Sequence, residues 1–280
     1  MRIRHISVKG LFGVFDHDIP LNMDDRITII YGPNGFGKTF SLSLVNELFN
    51  PGFGHFFSVP FDEVSVTLED GGSVSVRNVS EGEGRSFVIA YDAANGERRT
   101  FGFRDREEKL LGEPVWLTDL KEAVQVAFIH TERLIEITVD DWRAMTETIT
   151  GVASSDDTRL ALFTDIVNER FAQKSLTITP DRRLEFVTSF GGKLRPEDLS
   201  SGERHVLLLL YRLLFVVRPD SLILVDEPEL SLHIVWQQEF LKDIEKILDL
   251  VSLDILIATH SPQIIHDRWD LAVELKGPGQ

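Results

Sequence analysis

Residues 32–39 read Gly32-Pro33-Asn34-Gly35-Phe36-Gly37-Lys38-Thr39. A glycine, four residues, a second glycine, a lysine and a threonine form a phosphate-loop pattern. Glycines let successive backbone N–H groups turn inward around phosphate oxygens, and a following helix N-terminus adds a favourable dipole. In that pattern Lys38 reaches the β and γ phosphates and Thr39 offers its hydroxyl to Mg2+. Phe40, the next residue, completes the set expected to contact a nucleoside triphosphate. A chance glycine-rich turn before a helix is the bland alternative. The flanks argue against it. Arg26-Ile27-Thr28-Ile29-Ile30-Tyr31 reads as a buried strand, and Phe40 to Phe49 carries apolar residues at helical spacing.

Three further clusters could do chemistry. Ser221-Leu222-Ile223-Leu224-Val225-Asp226-Glu227-Pro228 is an apolar run ending in two carboxylates. If the run is a parallel strand, both acids emerge at its C-terminal edge, where α/β sheets place ligands. Asp226 could then hold Mg2+ through a water, and Glu227 could polarise a water attacking the γ-phosphate. A solvated acidic strand end is the plain alternative. Asp198-Leu199-Ser200-Ser201-Gly202-Glu203-Arg204-His205 contains a capping box, Ser200 with Glu203, that would open an apolar helix. The same helix start could serve as an anion site. Asp254-Ile255-Leu256-Ile257-Ala258-Thr259-His260-Ser261-Pro262 is a second buried-strand pattern. It delivers His260 beside a helix start with Pro262 at the first position.

Elements must position these clusters. Residues 2–31 predict two or three strands ending in the core strand at 26–31. Short β segments at 64–68, 73–76 and 87–91, with turn signals at Asp70-Gly71-Gly72 and Asn95-Gly96-Glu97, predict an antiparallel meander. Residues 105–122, charged and containing Pro114, read as loop, and 124–129 as a strand. Helical patterns cover 157–174, 203–217 and 236–248. A hairpin is expected around Pro180-Asp181, and a final edge strand over 271–275. The expected fold is therefore α/β: a mostly parallel core sheet with an antiparallel β subdomain inserted at about 55–130 and a helical region at about 140–195, within one domain over 1–280.

The 280 residues contain no cysteine, which excludes disulfides, thiolate zinc sites and a cysteine nucleophile. Hydrophobic residues make up 42%, enough for a packed core. The net charge of −16 disfavours unaided binding to nucleic acid. The densest basic pairs, Arg98-Arg99 and Arg182-Arg183, are small. Met1 to Ile6 begins in strand pattern without a signal-like apolar run, and the longest apolar stretch, 206–217, is interrupted by Arg212. We expect a cytoplasmic protein with no membrane segment.

Taken together, these motifs resemble ABC-type P-loop ATPases. The 198–205 segment is similar to the Leu-Ser-Gly-Gly-Gln signature. Ser200 and Gly202 match its serine and second glycine, Ser201 stands for its first glycine, and Glu203 for its glutamine. The Glu-Arg ending resembles the SMC-like and RecF-like branch. His260 resembles the switch histidine that contacts the γ-phosphate, and Glu229-Leu230-Ser231-Leu232-His233 the segment that packs across a dimer. The wording Asp-Glu-Pro-Glu-Leu-Ser-Leu-His, followed by Ala-Thr-His-Ser-Pro, is closest to the ATPase half of overcoming-lysogenization-defect (OLD) nucleases. No nuclease domain follows it before Gln280, and no long coiled coil interrupts it. The resemblance implies a homodimer in which Ser200, Ser201, Gly202 and Glu203 of one subunit close on ATP held by the other. It also implies a separate effector, a nuclease or toxin, in anti-phage defence or DNA maintenance. Nucleic acid would be reached only through that complex. A non-catalytic ATP-dependent scaffold and a transporter subunit remain alternatives. The family's Q-loop glutamine has no obvious counterpart; His130 or Thr131 stands at the expected place, and Gln125 within the strand pattern.

Overall fold

The computed structural model describes residues 1–80, 84–104, 112–130, 139–152, 158–179, 184–195 and 198–278. The first half holds strands β1 (Ile3–Leu11), β2 (Phe15–Pro20) and β3 (Ile27–Tyr31), then helices α1 (Lys38–Phe49) and α2 (Gly54–Ser58). It continues through β4 (Glu63–Leu68), β5 (Ser73–Asn78), β6 (Ser86–Asp92), β7 (Arg98–Arg104), α3 (Val115–Ala123) and β8 (Val126–His130). The second half holds α4 (Val139–Val152), α5 (Thr158–Arg170), β9 (Lys174–Ile178), β10 (Leu184–Thr188), β11 (Lys193–Leu194) and α6 (Ser201–Tyr211). It ends with β12 (Ser221–Asp226), α7 (Ile234–Leu248), β13 (Leu253–Thr259), α8 (Pro262–Ile265) and β14 (Ala272–Glu274).

Five strands form one parallel sheet in the order β14, β3, β13, β12, β8. Their sequences are near-continuous apolar runs because both faces are covered. The alternation is visible residue by residue. Ile27, Ile29, Ile223, Val225, Ile255 and Ile257 join a core with α5, α6 and α7. Ile30, Leu222, Leu224, Leu256 and Ala258 join a second core with α1 and the other large sheet. The register aligns Tyr31 with Thr259, and Asp226 with both Ala258 and His130. The C-terminal strand ends therefore share one edge.

The other large sheet is antiparallel, in the order β2, β1, β4, β5, β6, β7. It bears out the expected antiparallel meander and extends it. β1 and β2 belong to this layer, whereas β8 pairs with β12 in the parallel sheet. Phe53, Phe56, Phe61, Phe87 and Phe103 pack ring against ring beneath it. The loop expected over 105–122 is corrected for its second part. Val115–Ala123 is a helix, because Leu117 and Leu120, three apart, bury one face against the core. The surrounding charges hid that short stripe. The 180–181 turn, Thr131 and the Arg182-Arg183 pair lie outside the described residues.

One ion pair joins the two sheets. Arg2, just before β1, donates from Nε and Nη2 to Asp254 of β13, at 2.8 and 2.7 Å. The Asp254 side chain is 7% exposed. Removing one partner of such a pair strands a buried charge and costs about 3 kcal/mol. Arg2→Met should accordingly lower stability to urea by about 3 kcal/mol, and adding Asp254→Asn should recover part of that loss. Equilibrium denaturation of the single and double variants measures both.

Candidate nucleotide-binding site

The loop between β3 and α1 turns on left-handed glycines, with Gly35 at φ 85° and Gly37 at φ 79°. Gly37 also has no room for a side chain, since a Cβ there would lie 2.4 Å from Leu11 Cδ2. The antiparallel layer props the loop from below. His17 of β2 is buried, and its Nε2 lies 2.7 Å from the Phe36 carbonyl. Burial lowers the His17 pKa, so the ring is neutral and donates from Nε2. Lys38 is buried and curls back to donate to the carbonyls of Gly32 and Pro33, at 2.9 and 3.2 Å. Burial lowers its pKa against the opposing pull of Glu227, Asp226 and Glu229.

Those carboxylates come from the end of β12. Thr39 donates its hydroxyl to Asp226 Oδ1 at 3.1 Å, tying the start of α1 to the strand end. Asp226 is pushed up to about 6, chiefly by burial, with Glu227 and Glu229 adding to the rise and Thr39 and Lys38 opposing it. Glu227 has a left-handed backbone, φ 47° and ψ 56°. That conformation costs a non-glycine residue roughly 1 kcal/mol, and strain of this kind concentrates at functional sites. The Glu227 N–H donates to Ala258 O at 2.8 Å.

His260 leaves the end of β13 beside them. Its Nδ1 lies 3.5 Å from Glu227 Oε1 and 3.2 Å from Glu229 Oε1. The structure thus brings Lys38, Thr39, Asp226, Glu227 and His260 to one sheet edge. It adds Glu229, which sequence reasoning placed only in a dimer-packing segment. No short-range pattern in Pro228-Glu229-Leu230-Ser231-Leu232 marks it, because its partners lie on the neighbouring strand end. A cleft of about 390 Å³ beside this edge is lined by Gly32, Pro33, Asn34, His260, Pro262 and Trp269. Phe40 is half-exposed and meets Phe12 edge to face, with centroids 5.1 Å apart.

The 198–205 segment stands apart in its contacts. Ser200 caps α6 in a full capping box with Glu203. The Glu203 carboxylate is buried and accepts from Lys174 Nζ at 2.7 Å and from Ser200 N at 2.7 Å, so its charge is spent inside the subunit. Ser201 and Gly202 form the first turn of the helix. At the Q-loop place, His130 ends β8 in register with Asp226. Gln125 precedes β8 at the opposite edge and donates to Lys121 and Glu122 carbonyls. The basic pair Arg98-Arg99 is matched by Asp92 and Glu97.

The donor set fits a nucleoside triphosphate and Mg2+. A glycine cradle, a lysine ammonium with a third proton to spare and a helix start suit phosphate oxygens. A hydroxyl paired with a carboxylate suits a hard divalent cation. Without the cation, ionised Asp226 is a burden on the fold. Its folded pKa of about 6 exceeds the unfolded value of 3.8. Its contribution to stability is therefore full below 3.8 and is lost as pH rises through about 6. Asp226→Asn should raise the melting temperature of the nucleotide-free protein at about pH 8 and leave it unchanged at about pH 3. Thermal melts across that range check the sign.

Comparison with known proteins gives the family. A family model described as "AAA domain, putative AbiEii toxin, Type IV TA system" matches residues 27–266. Septu protein PtuA of Bacillus thuringiensis is 23% identical over 306 aligned residues, covering 94% of this chain and 72% of that protein. Protein ea59 of Escherichia phage lambda is 41% identical over 69 residues, covering 25% of this chain and 13% of that protein. Among solved structures, an Smc head bound to the C-winged helix domain of ScpA aligns with a TM-score of 0.57 at 14% identity, covering 95% of this chain and 91% of that one. The fold is thus α/β, of the P-loop NTPase kind shared by SMC heads and ABC ATPases. The family match spans the phosphate loop, both carboxylates and His260, and the chain belongs to this AAA-domain family of P-loop ATPases.

Proposed function

We propose that the chain binds ATP with Mg2+, hydrolyses it, and closes as a homodimer to switch a separate effector. The convergence of Lys38, Thr39, Asp226, Glu227 and His260 on one sheet edge carries this reading. The loop 32–37 wraps the phosphates with backbone N–H groups, and Lys38 turns its ammonium from the loop carbonyls to the β and γ oxygens. Thr39 and, through a water, Asp226 would hold Mg2+, which would supply charge neutralisation at the phosphates. Glu227 orients a water and accepts its proton during in-line attack. His260 faces the γ-phosphate from the neighbouring strand.

The chain's surface supports the assembly part of the reading. Leu230, Ile234 and Val235 are 53%, 52% and 54% exposed, just after the carboxylates. A second copy would cover them, bringing Ser200, Ser201 and Gly202 at its α6 start to the bound ATP. Glu203 would serve there by fixing the helix start. With a net charge of −16 and the exposed Arg98 and Arg99 facing acidic partners, nucleic acid would be reached only through a complex. Among the described residues no helix is long and apolar enough to cross a membrane. We place the protein in the cytoplasm, its effector a nuclease or toxin and its setting anti-phage defence or DNA maintenance. The OLD-like wording at 226–233 and 258–262 supports that setting.

Lys38→Ala should weaken ATP binding at least tenfold, about 1.4 kcal/mol, with an unchanged circular dichroism spectrum; calorimetry measures it. Glu227→Gln should bind ATP normally and lose at least about a hundredfold in turnover, roughly 2.7 kcal/mol of barrier. Unchanged turnover would instead favour a nucleotide-dependent scaffold. The same variant with ATP should shift from monomer to dimer in light scattering, and Ser200→Arg should prevent that shift while preserving binding.

A further inference from the structure

Asp226 and Glu227 have roles in the reading above, and the third acid of the same short segment, Glu229, has none. Its side chain is 5% exposed. It sits on a single 3₁₀ turn, Pro228–Ser231, directly after the strained Glu227. One carboxylate oxygen does all the work. Glu229 Oε1 accepts from the Thr259 hydroxyl at 2.7 Å and from the His260 backbone N–H at 2.9 Å. The same oxygen lies 3.2 Å from His260 Nδ1. Oε2 is buried with no hydrogen-bond partner.

A carboxylate kept only to stabilise the fold would satisfy both oxygens, because an unpaired buried one is costly. Here a single oxygen accepts two hydrogen bonds from the two-residue step from β13 to His260 and lies beside the histidine ring. The surroundings brace that grip. Gln237 of α7 donates to the backbone carbonyls of Glu229 and Leu232, at 3.3 and 3.0 Å, and accepts from Ser261 Oγ at 2.9 Å. The segment after β12 and the segment after β13 are therefore one hydrogen-bonded unit. The carboxylates of Glu227 and Glu229 both lie on the Nδ1 side of the ring, an arrangement that favours the tautomer with its proton on Nδ1. Nε2 is then left for the open side, where the side chain is 40% exposed.

We propose that Glu229 is a positioning residue for His260, fixing both the backbone exit of the histidine and its ring tautomer. It acts through His260 and does not touch the nucleotide. The proposal rests on the reading that this site hydrolyses ATP, and the test separates the two.

The first measurement is ¹⁵N NMR of the His260 imidazole in nucleotide-free wild-type protein, assigned with His260→Gln. The Nδ1–H tautomer is expected; finding Nε2–H would overturn the proposal without any other variant. Glu229→Met, which fills the space but offers no acceptor, should move the ring toward Nε2–H. It should also lower kcat at least about tenfold with KM for ATP within about twofold. Glu229→Gln keeps an acceptor oxygen and should restore the tautomer and return kcat to within about threefold of wild type. A folded Glu229→Met with wild-type tautomer and wild-type kcat refutes the positioning role, as does a loss confined to KM. If the tautomer shifts as expected but the wild-type protein turns over no ATP, the hydrolysis reading fails and the positioning of His260 stands.

Discussion

The site is built around an imbalance of charge. One desolvated ammonium, on Lys38, faces the carboxylates of Asp226, Glu227 and Glu229. At short range and low dielectric such a group of acids repels itself strongly. Asp226 is pushed up to about 6 chiefly by burial, with Glu227 and Glu229 adding to the rise, despite its bond from Thr39 and the nearby lysine. A ligand that brings its own cation and offers oxygens to Lys38 would suit this balance of charge. The surrounding structure must hold these acids together against their repulsion, and its architecture reflects that task.

The restraint comes from two directions. The parallel sheet is packed on both faces, so the ends of β3, β12 and β13 cannot drift without opening one of two cores. The antiparallel layer is fastened to that sheet at both ends of the β3 unit. Arg2 grips Asp254 at the edge remote from the site. His17 meets the Phe36 carbonyl within the phosphate loop itself. The β1–β2 hairpin also closes over the loop at Gly37, where Leu11 leaves no space for a side chain. The antiparallel sheet is thus structurally continuous with the phosphate loop.

Local patterns were the legible part of this molecule. The phosphate loop, the apolar strands at 221–226 and 253–259, and the Ser200–Glu203 capping box each announce themselves within a dozen residues, because their period and end signals are short-range. The parallel sheet followed from those strands. What stayed hidden depends on pairing across long separations. Nothing in residues 1–20 says that β1 and β2 join the 63–104 strands, since the partners are chosen by packing. The α3 helix was masked by its charges, its apolar stripe reduced to Leu117 and Leu120. Glu203 resembled a ligand-facing residue in a signature, yet its partner is Lys174, 29 residues away. Glu229 read as part of an interface segment until Thr259 and His260 appeared beside it.

The Asp226–Glu229 segment shows how a strained conformation can persist in such a site. Glu227 adopts a left-handed backbone at a cost of roughly 1 kcal/mol. Its N–H donates to Ala258 O, and the turn that follows delivers Glu229 to Thr259 and His260. Each of these bonds contributes about 1 kcal/mol net, and those to the charged carboxylate more. Together they exceed the strain. The two strand ends therefore hold each other: β12 presents the acids because β13 accepts them, and β13 presents its histidine because β12 fixes it. A side chain that loosened either end would release the strain at Glu227 and blunt the whole constellation, even with every acid still in the sequence.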